Sequence, residues 1–231
     1  MSDQKNRGSA PPAARQDLED WRQAQPSNFT RSNRGLNRLL DRLCASETRE
    51  QHRASLEHFG AVVAGELDEA AAVNNRPWNL PRLDRWSAIG ERTEGIEHHP
   101  SFHRCGKAIY EDGRVIAAYG DHQPNLQAQA RFFLSSHAGE AGHNCPVACT
   151  AGVVKALDVL GSDEMKERWL PGLLTERYEE RLAGAQFLTE IQGGSDVGAN
   201  AVEARPDGEA LGTSRWRIHG EKWFCSSADA D

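Results

Sequence analysis

At about residue 184 the hydrophobic period of this chain changes from near four to near two. A change of period marks a change of secondary structure, so no single all-helical or all-strand architecture accommodates the sequence. Before the change, Leu36, Leu39, Leu40 and Leu43 recur at helical spacing, and so do Leu56, Phe59, Val62, Val63 and Leu67. Ser46-Glu47-Thr48 divides the two runs, and Asn74-Asn75-Arg76-Pro77 stops the second. Pro77 to Pro100 reads as a loop with a short amphipathic piece carrying Leu83, Trp86 and Ile89. Helix returns after Pro124, with Leu126, Ala130, Phe133, Leu134 and His137 on one face. Cys145 to Leu160 is apolar nearly all round, the pattern of a helix buried on most sides. Pro146 suits its first turn and Gly161 its end. Another helix begins at Ser162, with Pro171 expected to kink or end it.

After the change, four short strands are expected: 185–189, 201–205, 216–219 and 222–226, with a turn starting at Pro206-Asp207-Gly208. The fold class is therefore α+β, an all-α helical domain followed by the first strands of an antiparallel β domain. The expected divisions are a loosely packed arm at 1–35, a helical domain at 36–183 and the start of a β domain at 184–231. Four short strands leave an edge and an apolar face uncovered. More chain or a partner subunit is expected to cover them.

Composition narrows the function classes. Lys and Arg number 27 against 34 Asp and Glu, a net charge of −7. That balance argues against a surface built mainly to neutralise nucleic-acid phosphates. Arg31, Arg34, Arg38 and Arg42 line one helical face, which reads as solvated or as a stripe for phosphate or a partner. No apolar stretch is long enough for a membrane helix. Five scattered cysteines and a polar start read as reduced thiols in a cytoplasmic protein. His137, His143, Cys145 and Cys149 lack paired metal-ligand spacing and read as packing groups, with no metal expected. His98, His99 and His103 read as loop and packing residues.

The segment Leu188-Thr189-Glu190-Ile191-Gln192-Gly193-Gly194-Ser195-Asp196-Val197 carries the most chemistry. Paired glycines let a ligand approach the backbone closely, and flanking hydroxyls offer directed hydrogen bonds. By itself such a turn is either a connector or a ligand loop. No Lys follows the glycines, so it is not a Walker loop, and a strand rather than a helix follows, so it is not a dinucleotide fingerprint. About 25 residues on comes Gly220-Glu221-Lys222-Trp223-Phe224-Cys225-Ser226-Ser227.

As a pair these segments resemble the flavin-contacting elements of the acyl-CoA dehydrogenase family, Thr-Glu-x-x-x-Gly-Ser-Asp and Gly-x-Lys-x-(aromatic)-x-(Thr/Ser). Gln192-Gly193-Gly194-Ser195-Asp196-Val197 and Lys222-Trp223-Phe224 point to its alkylation-response, AidB-like branch. Upstream, His99-Pro100-Ser101-Phe102-His103, Gly142-His143-Asn144-Cys145-Pro146 and Leu170-Pro171-Gly172-Leu173-Leu174 look like that branch too. The resemblance covers about residues 75 to 231 and implies FAD as cofactor and an acyl-CoA thioester as substrate. By resemblance, Thr189 hydrogen-bonds the pyrimidine side of the flavin, which Leu188 through Val197, Gly194 included, would line. Ser195 touches flavin-site backbone and acyl-CoA. Phe224 packs on the flavin, Cys225 contributes backbone, and Ser226 faces the N5 edge.

The implied reaction is α,β-dehydrogenation. Its carboxylate base is expected from a C-terminal helical domain, and no catalytic residue is assigned here; Glu190 and Asp196 are read as holding loops in place. Alternative readings are a half-site subunit completed by a partner chain, and a DNA-associated alkylation-response flavoprotein. The resemblance also implies a homo-oligomer for a complete protein.

Overall fold

The computed structural model describes residues 12–121, 124–210 and 213–227. Nine α-helices lie among them: α1 Pro12–Gln23, α2 Phe29–Ser32, α3 Arg34–Leu43, α4 Arg49–Val62, α5 Asp68–Asn74, α6 Pro100–Lys107, α7 Pro124–Ser135, α8 Asn144–Leu160 and α9 Asp163–Leu173. Two antiparallel hairpins complete the set, β1 Arg82–Trp86 with β2 Arg92–Glu97, and β3 Glu203–Ala210 with β4 Thr213–His219. The architecture is a mostly helical body followed by antiparallel strands.

The core forms around α4 and α5, which join through a π-turn at Val63–Leu67. Leu56, Phe59, Val63, Leu67, Ala70 and Ala71 recur every three or four residues, and each is almost fully buried. Cys105, Ile109 and Tyr110 close over them from α6 and the turn after it, and Ala130 and Leu134 from α7. Arg131 is buried with them. It donates to the Gly113 carbonyl at 3.0 Å and to Ser55 Oγ at 2.9 Å.

Several elements depart from the sequence reading. Residues 1–11 of the expected arm lie outside the described residues. Residues 12–23 form a helix that is exposed from Ala13 on, and 28–35 are docked rather than loose. Thr30 is fully buried, with its hydroxyl donating to the Leu56 carbonyl at 2.6 Å. Asn28 caps α2 and donates to the Glu57 carbonyl at 2.8 Å. A single buried Thr leaves too small a hydrophobic signal for periodicity to detect.

The loop expected between Pro77 and Pro100 is instead the β1–β2 hairpin. It was hidden because Leu83, Trp86 and Ile89 mimic helical spacing. In α8 only Asn144, Val147, Thr150 and Val154 are buried, a single stripe, while Val159 and Leu160 are 64% and 84% exposed. Apolar composition all round therefore does not report cover all round here. Cys145 is exposed and Cys149 half-buried, where buried thiols were expected. Pro206-Asp207-Gly208 does not start a turn. It lies inside β3, where the register shifts between Pro206 and Glu209 and Gly208 takes φ +80°. The segments 185–189 and 222–226 are not strands in this structure. Their backbones run extended or turned, bonded to neighbouring loops rather than to a ladder.

The stretch leading into the glycine-rich turn is fastened to the helices. The Leu182 N–H donates to the Gly172 carbonyl at 3.0 Å, and the Gly184 N–H to Thr150 Oγ1 at 3.0 Å. Gln186 Nε2 donates to the Cys149 carbonyl at 3.0 Å. Thus α8 and α9 fix where Leu188 and Thr189 emerge.

Candidate functional site

The two sequence segments meet. The Trp223 N–H donates to the Thr189 carbonyl at 2.9 Å. Lys222 Nζ donates to the Leu188 carbonyl at 3.2 Å and to Glu190 Oε1 at 2.8 Å. More than thirty residues of chain separate these partners, so sequence spacing alone cannot supply the contact.

Glu190 is the centre of this junction. Its side chain is shielded, with the residue only 3% exposed. One carboxylate accepts from Lys222, from the Ala201 N–H at 2.7 Å, from the Val202 N–H at 3.1 Å and from Gln192 Nε2 at 2.7 Å. The Lys222 ammonium first, and then the Ala201 N–H, hold its pKa down to about 2. Glu190 and Gly193 also exchange backbone hydrogen bonds at 3.2 and 3.0 Å, which close the turn. Gly193 takes φ +151°, a conformation that side chains rarely adopt. At Gly194 a Cβ would come 2.8 Å from Thr189 Oγ1, so the missing side chain lets the turn pack against that threonine.

Apolar side chains of both segments are open to solvent at this junction. Leu188 is 54% exposed, Ile191 66% and Phe224 78%. Phe224 holds φ +55°, an unfavourable angle for an aromatic residue, and its ring meets Trp223 edge-on at 5.6 Å. The Ser226 N–H donates to the Phe224 carbonyl at 2.9 Å, which tightens the turn that carries Cys225. Ser195, Cys225 and Ser226 are exposed. Leu188 and Thr189 are thus bonded to the second segment and Gly194 packs against Thr189, whereas Ser195 is exposed on the turn.

Lys222 is the participant that the sequence reading did not single out. Its signal was the Lys of Gly220-Glu221-Lys222 lying downstream of the Thr189-Glu190 pair. Asn200 was missed as well; its Nδ2 donates to the Leu188 carbonyl at 2.8 Å.

A second polar cluster lies inside the helical body. The buried carboxylate of Glu140 accepts from the backbone N–H groups of His143 at 3.0 Å and Asn144 at 3.2 Å. Burial pushes its pKa up, but hydrogen bonds and charge from His143 outweigh that and leave it below the usual value. His103 Nδ1 lies 3.0 Å from the Tyr178 hydroxyl, and His98 stacks on Phe102 at 3.9 Å. The Arg181 guanidinium covers the Tyr178 ring at 4.0 Å. The bonds of Glu140 to the His143 and Asn144 N–H groups and the contact of His103 with Tyr178 are the pattern of internal scaffolding, with His143 Nδ1 lying 3.5 Å from Glu140 Oε1.

Comparison with known proteins identifies the family of the chain. Residues 22–180 match the family described as the adaptive response protein AidB N-terminal domain. The Escherichia coli protein named putative acyl-CoA dehydrogenase AidB is 30% identical over 208 residues, 82% of this chain and 36% of that protein. Caenorhabditis elegans acyl-CoA dehydrogenase family member 11 is 27% identical over 206 residues, 85% of this chain and 32% of that protein. The crystal structure of C. elegans ACDH-11 in complex with C11-CoA superposes with a TM-score of 0.71 at 27% identity, over 87% of this chain and 34% of that one. The chain therefore spans about a third of the length of the relatives it matches. Among the described residues no helix is long and apolar enough to cross a membrane.

Proposed function

The chain belongs to the AidB N-terminal-domain family of acyl-CoA dehydrogenase-like proteins, and from that premise we propose that its two joined segments form one wall of an FAD site in a flavoprotein acting on acyl-CoA thioesters. The carrying observation is the bond from the Trp223 N–H to the Thr189 carbonyl, braced by Lys222 and Glu190. It gives the two motifs one shared surface.

That surface suits a flat, amphipathic ring system. Leu188, Ile191 and Phe224 supply apolar area, while Thr189 and Ser226 supply hydroxyls at its edges. Gly193 and Gly194 keep Cβ atoms out of the approach. In this reading Thr189 bonds the pyrimidine side of the ring, and Phe224 packs against it. Ser226 faces the N5 edge, with Cys225 contributing backbone. Ser195, exposed on the turn, contacts both site backbone and the acyl-CoA. When bound, the flavin supplies a two-electron acceptor for the hydride leaving the acyl β-carbon.

Glu190 does not serve as the base that removes the α-proton. A general base works best with a pKa near the operating pH, and this carboxylate is held at about 2 by partners that occupy both oxygens. Its task is to hold the wall together. The base is assigned to residues outside this chain, as is the opposite wall. The exposure of Leu188 and Phe224 equally favours a variant of this reading in which a second polypeptide closes the site.

The test is the visible absorption spectrum of the chain after incubation with FAD and removal of excess by gel filtration. Retained flavin absorbance, diminished in Thr189→Val, is the expected result. Equal retention by the parent and by Thr189→Val would remove Thr189 from the site, and no retention would refute a self-sufficient wall.

A further inference from the structure

Two of the five cysteines share one helix. Cys145 and Cys149 stand four residues apart in α8, one turn from each other and so on the same face. Cys145 is exposed and Cys149 half-buried, and the two thiols are in hydrogen-bond contact. Each of the other three is alone on its segment. Cys44 ends α3 and Cys105 lies in α6, both buried, while Cys225 is exposed in the turn after Phe224. Ala141 and Ala148, next to the pair in the chain, are exposed and small. The backbone under the pair is fixed, because the Cys149 carbonyl accepts from Gln186 Nε2 at 3.0 Å and Val147 and Thr150 are buried.

The helix keeps this pair a dithiol. Side chains four apart on a helix hold their Cβ atoms about 5–6 Å apart. A disulfide needs a Cβ separation of about 3.5–4.5 Å. Closing one here would deform the first turns of α8, which Val147 and Thr150 pack in place. A larger atom bonded to both sulfurs spans the gap without that distortion. Zinc does not suit the site, since it takes four ligands and no group of three His, Cys, Asp or Glu is placed for a metal among the described residues. A cation also requires both thiols to lose their protons first. Burial, and then the charge and hydrogen bond of Cys145, push the Cys149 thiol up and oppose that loss. A trivalent arsenic centre with two hydroxyls carries its own proton acceptors, because each thiol proton departs with an arsenic-bound hydroxyl as water.

We propose that Cys145 and Cys149 form a dithiol site for mono-organic trivalent arsenicals, R–As(OH)2. Two S–H bonds and two As–O bonds break, two As–S bonds form, and two waters leave. Arsenic stays trivalent, so no oxidant or reductant is needed. The small side chains of Ala141 and Ala148 leave room for the organic group. The site is independent of the flavin reading, because neither thiol belongs to that wall.

Phenylarsine oxide tests it. The reduced chain is incubated with one equivalent in excess glutathione, freed of small molecules and weighed by intact-mass spectrometry. Its tryptic peptide 132–155 is then mapped after treatment with iodoacetamide. One phenylarsenic per chain is expected, on that peptide, with both of its cysteines closed to iodoacetamide. Cys145→Ser and Cys149→Ser should each weaken retention about 100-fold, since either change turns a chelate into a single bond. Cys225→Ser should retain the arsenical as the parent does. The map of the parent chain reads the pair directly and does not depend on how the variants fold. An adduct retained equally by either serine variant, or one bridging a different pair of cysteines, would overturn the proposal. So would an adduct formed only with loss of helical circular dichroism, or none held against glutathione.

Discussion

Replacing Gly60 by Ala should destabilise the protein, although the same change in an open helix position stabilises. Gly60 lies in α4, where alanine is favoured over glycine by about 0.5–1 kcal/mol. The added Cβ, however, would fall 2.3 Å from Thr30 Oγ1, 2.6 Å from the Thr30 backbone nitrogen and 2.7 Å from Asn28 Oδ1. Two of those atoms belong to a cap and a backbone, which cannot rotate away as the end of a long side chain could. Segment 28–33 must therefore lift off α4. Lifting strains or breaks the bonds from Thr30 Oγ1 to Leu56 and from Asn28 Nδ2 to Glu57, each worth about 1 kcal/mol. Overpacking adds about 1–3 kcal/mol. With the helical gain subtracted, the net loss is about 2–4 kcal/mol. For a domain of this size, at about 2–4 °C per kcal/mol, that corresponds to a Tm lower by at least about 4–8 °C. Gly65 provides the control, since its Cβ would meet nothing within 4 Å. Gly65→Ala should match or exceed the parent. Urea titration of the three chains, followed by far-ultraviolet circular dichroism, measures the difference. A Gly60→Ala chain as stable as Gly65→Ala would refute the docking of 28–33 and the argument built on it.

Phe224→Gly should relieve the φ +55° strain and raise stability by about 1 kcal/mol, yet reduce flavin retention because the packing surface is lost; a stability loss would show that the turn is unstrained. Glu190 has a folded pKa of about 2, below the unfolded value of about 4.3. Its contribution is therefore complete above about pH 4.3 and disappears as pH falls through about 2. Protection of the Ala201 and Val202 amides relative to their intrinsic exchange rates should fall across that window, and Lys222→Met should move the onset toward higher pH; an onset unmoved by Lys222→Met would dissociate the lysine from the lock. Glu140→Ala removes a buried acceptor from two backbone N–H groups and from His143, and should cost about 3 kcal/mol in urea titration. A cost under about 1 kcal/mol would mean that water replaces the carboxylate easily.

The helices were legible in the sequence where an apolar stripe recurs over several turns, as from Leu56 to Leu67, and where Asn-Asn-Arg-Pro or Ser-Glu-Thr interrupts it. Legibility failed where composition and environment part company. The apolar residues of α8 predicted burial, but a stripe becomes core only when another element lies on it, and Val159 and Leu160 have none here. Leu83, Trp86 and Ile89 lie at spacings of three, yet the two-residue pairing of Leu83 with Ile96 and of Trp86 with Arg92 organises them. At the site, the glycines, hydroxyls and aromatic residues could be read as chemistry. The bond from Trp223 to Thr189 could not, because it joins backbone atoms and leaves no mark on residue type. Glu190 was read as a loop-holding carboxylate, and its four donors bear that role out.

The central claim is that residues 188–197 and 220–227 act as one flavin-binding wall. Hydrogen–deuterium exchange of the chain with and without FAD tests it most directly, because both segments are read in one experiment. The account predicts slowed exchange confined to these two stretches, with Thr189→Val reducing the protection in both. Protection of one segment without the other, or protection centred on the helical body, would contradict it.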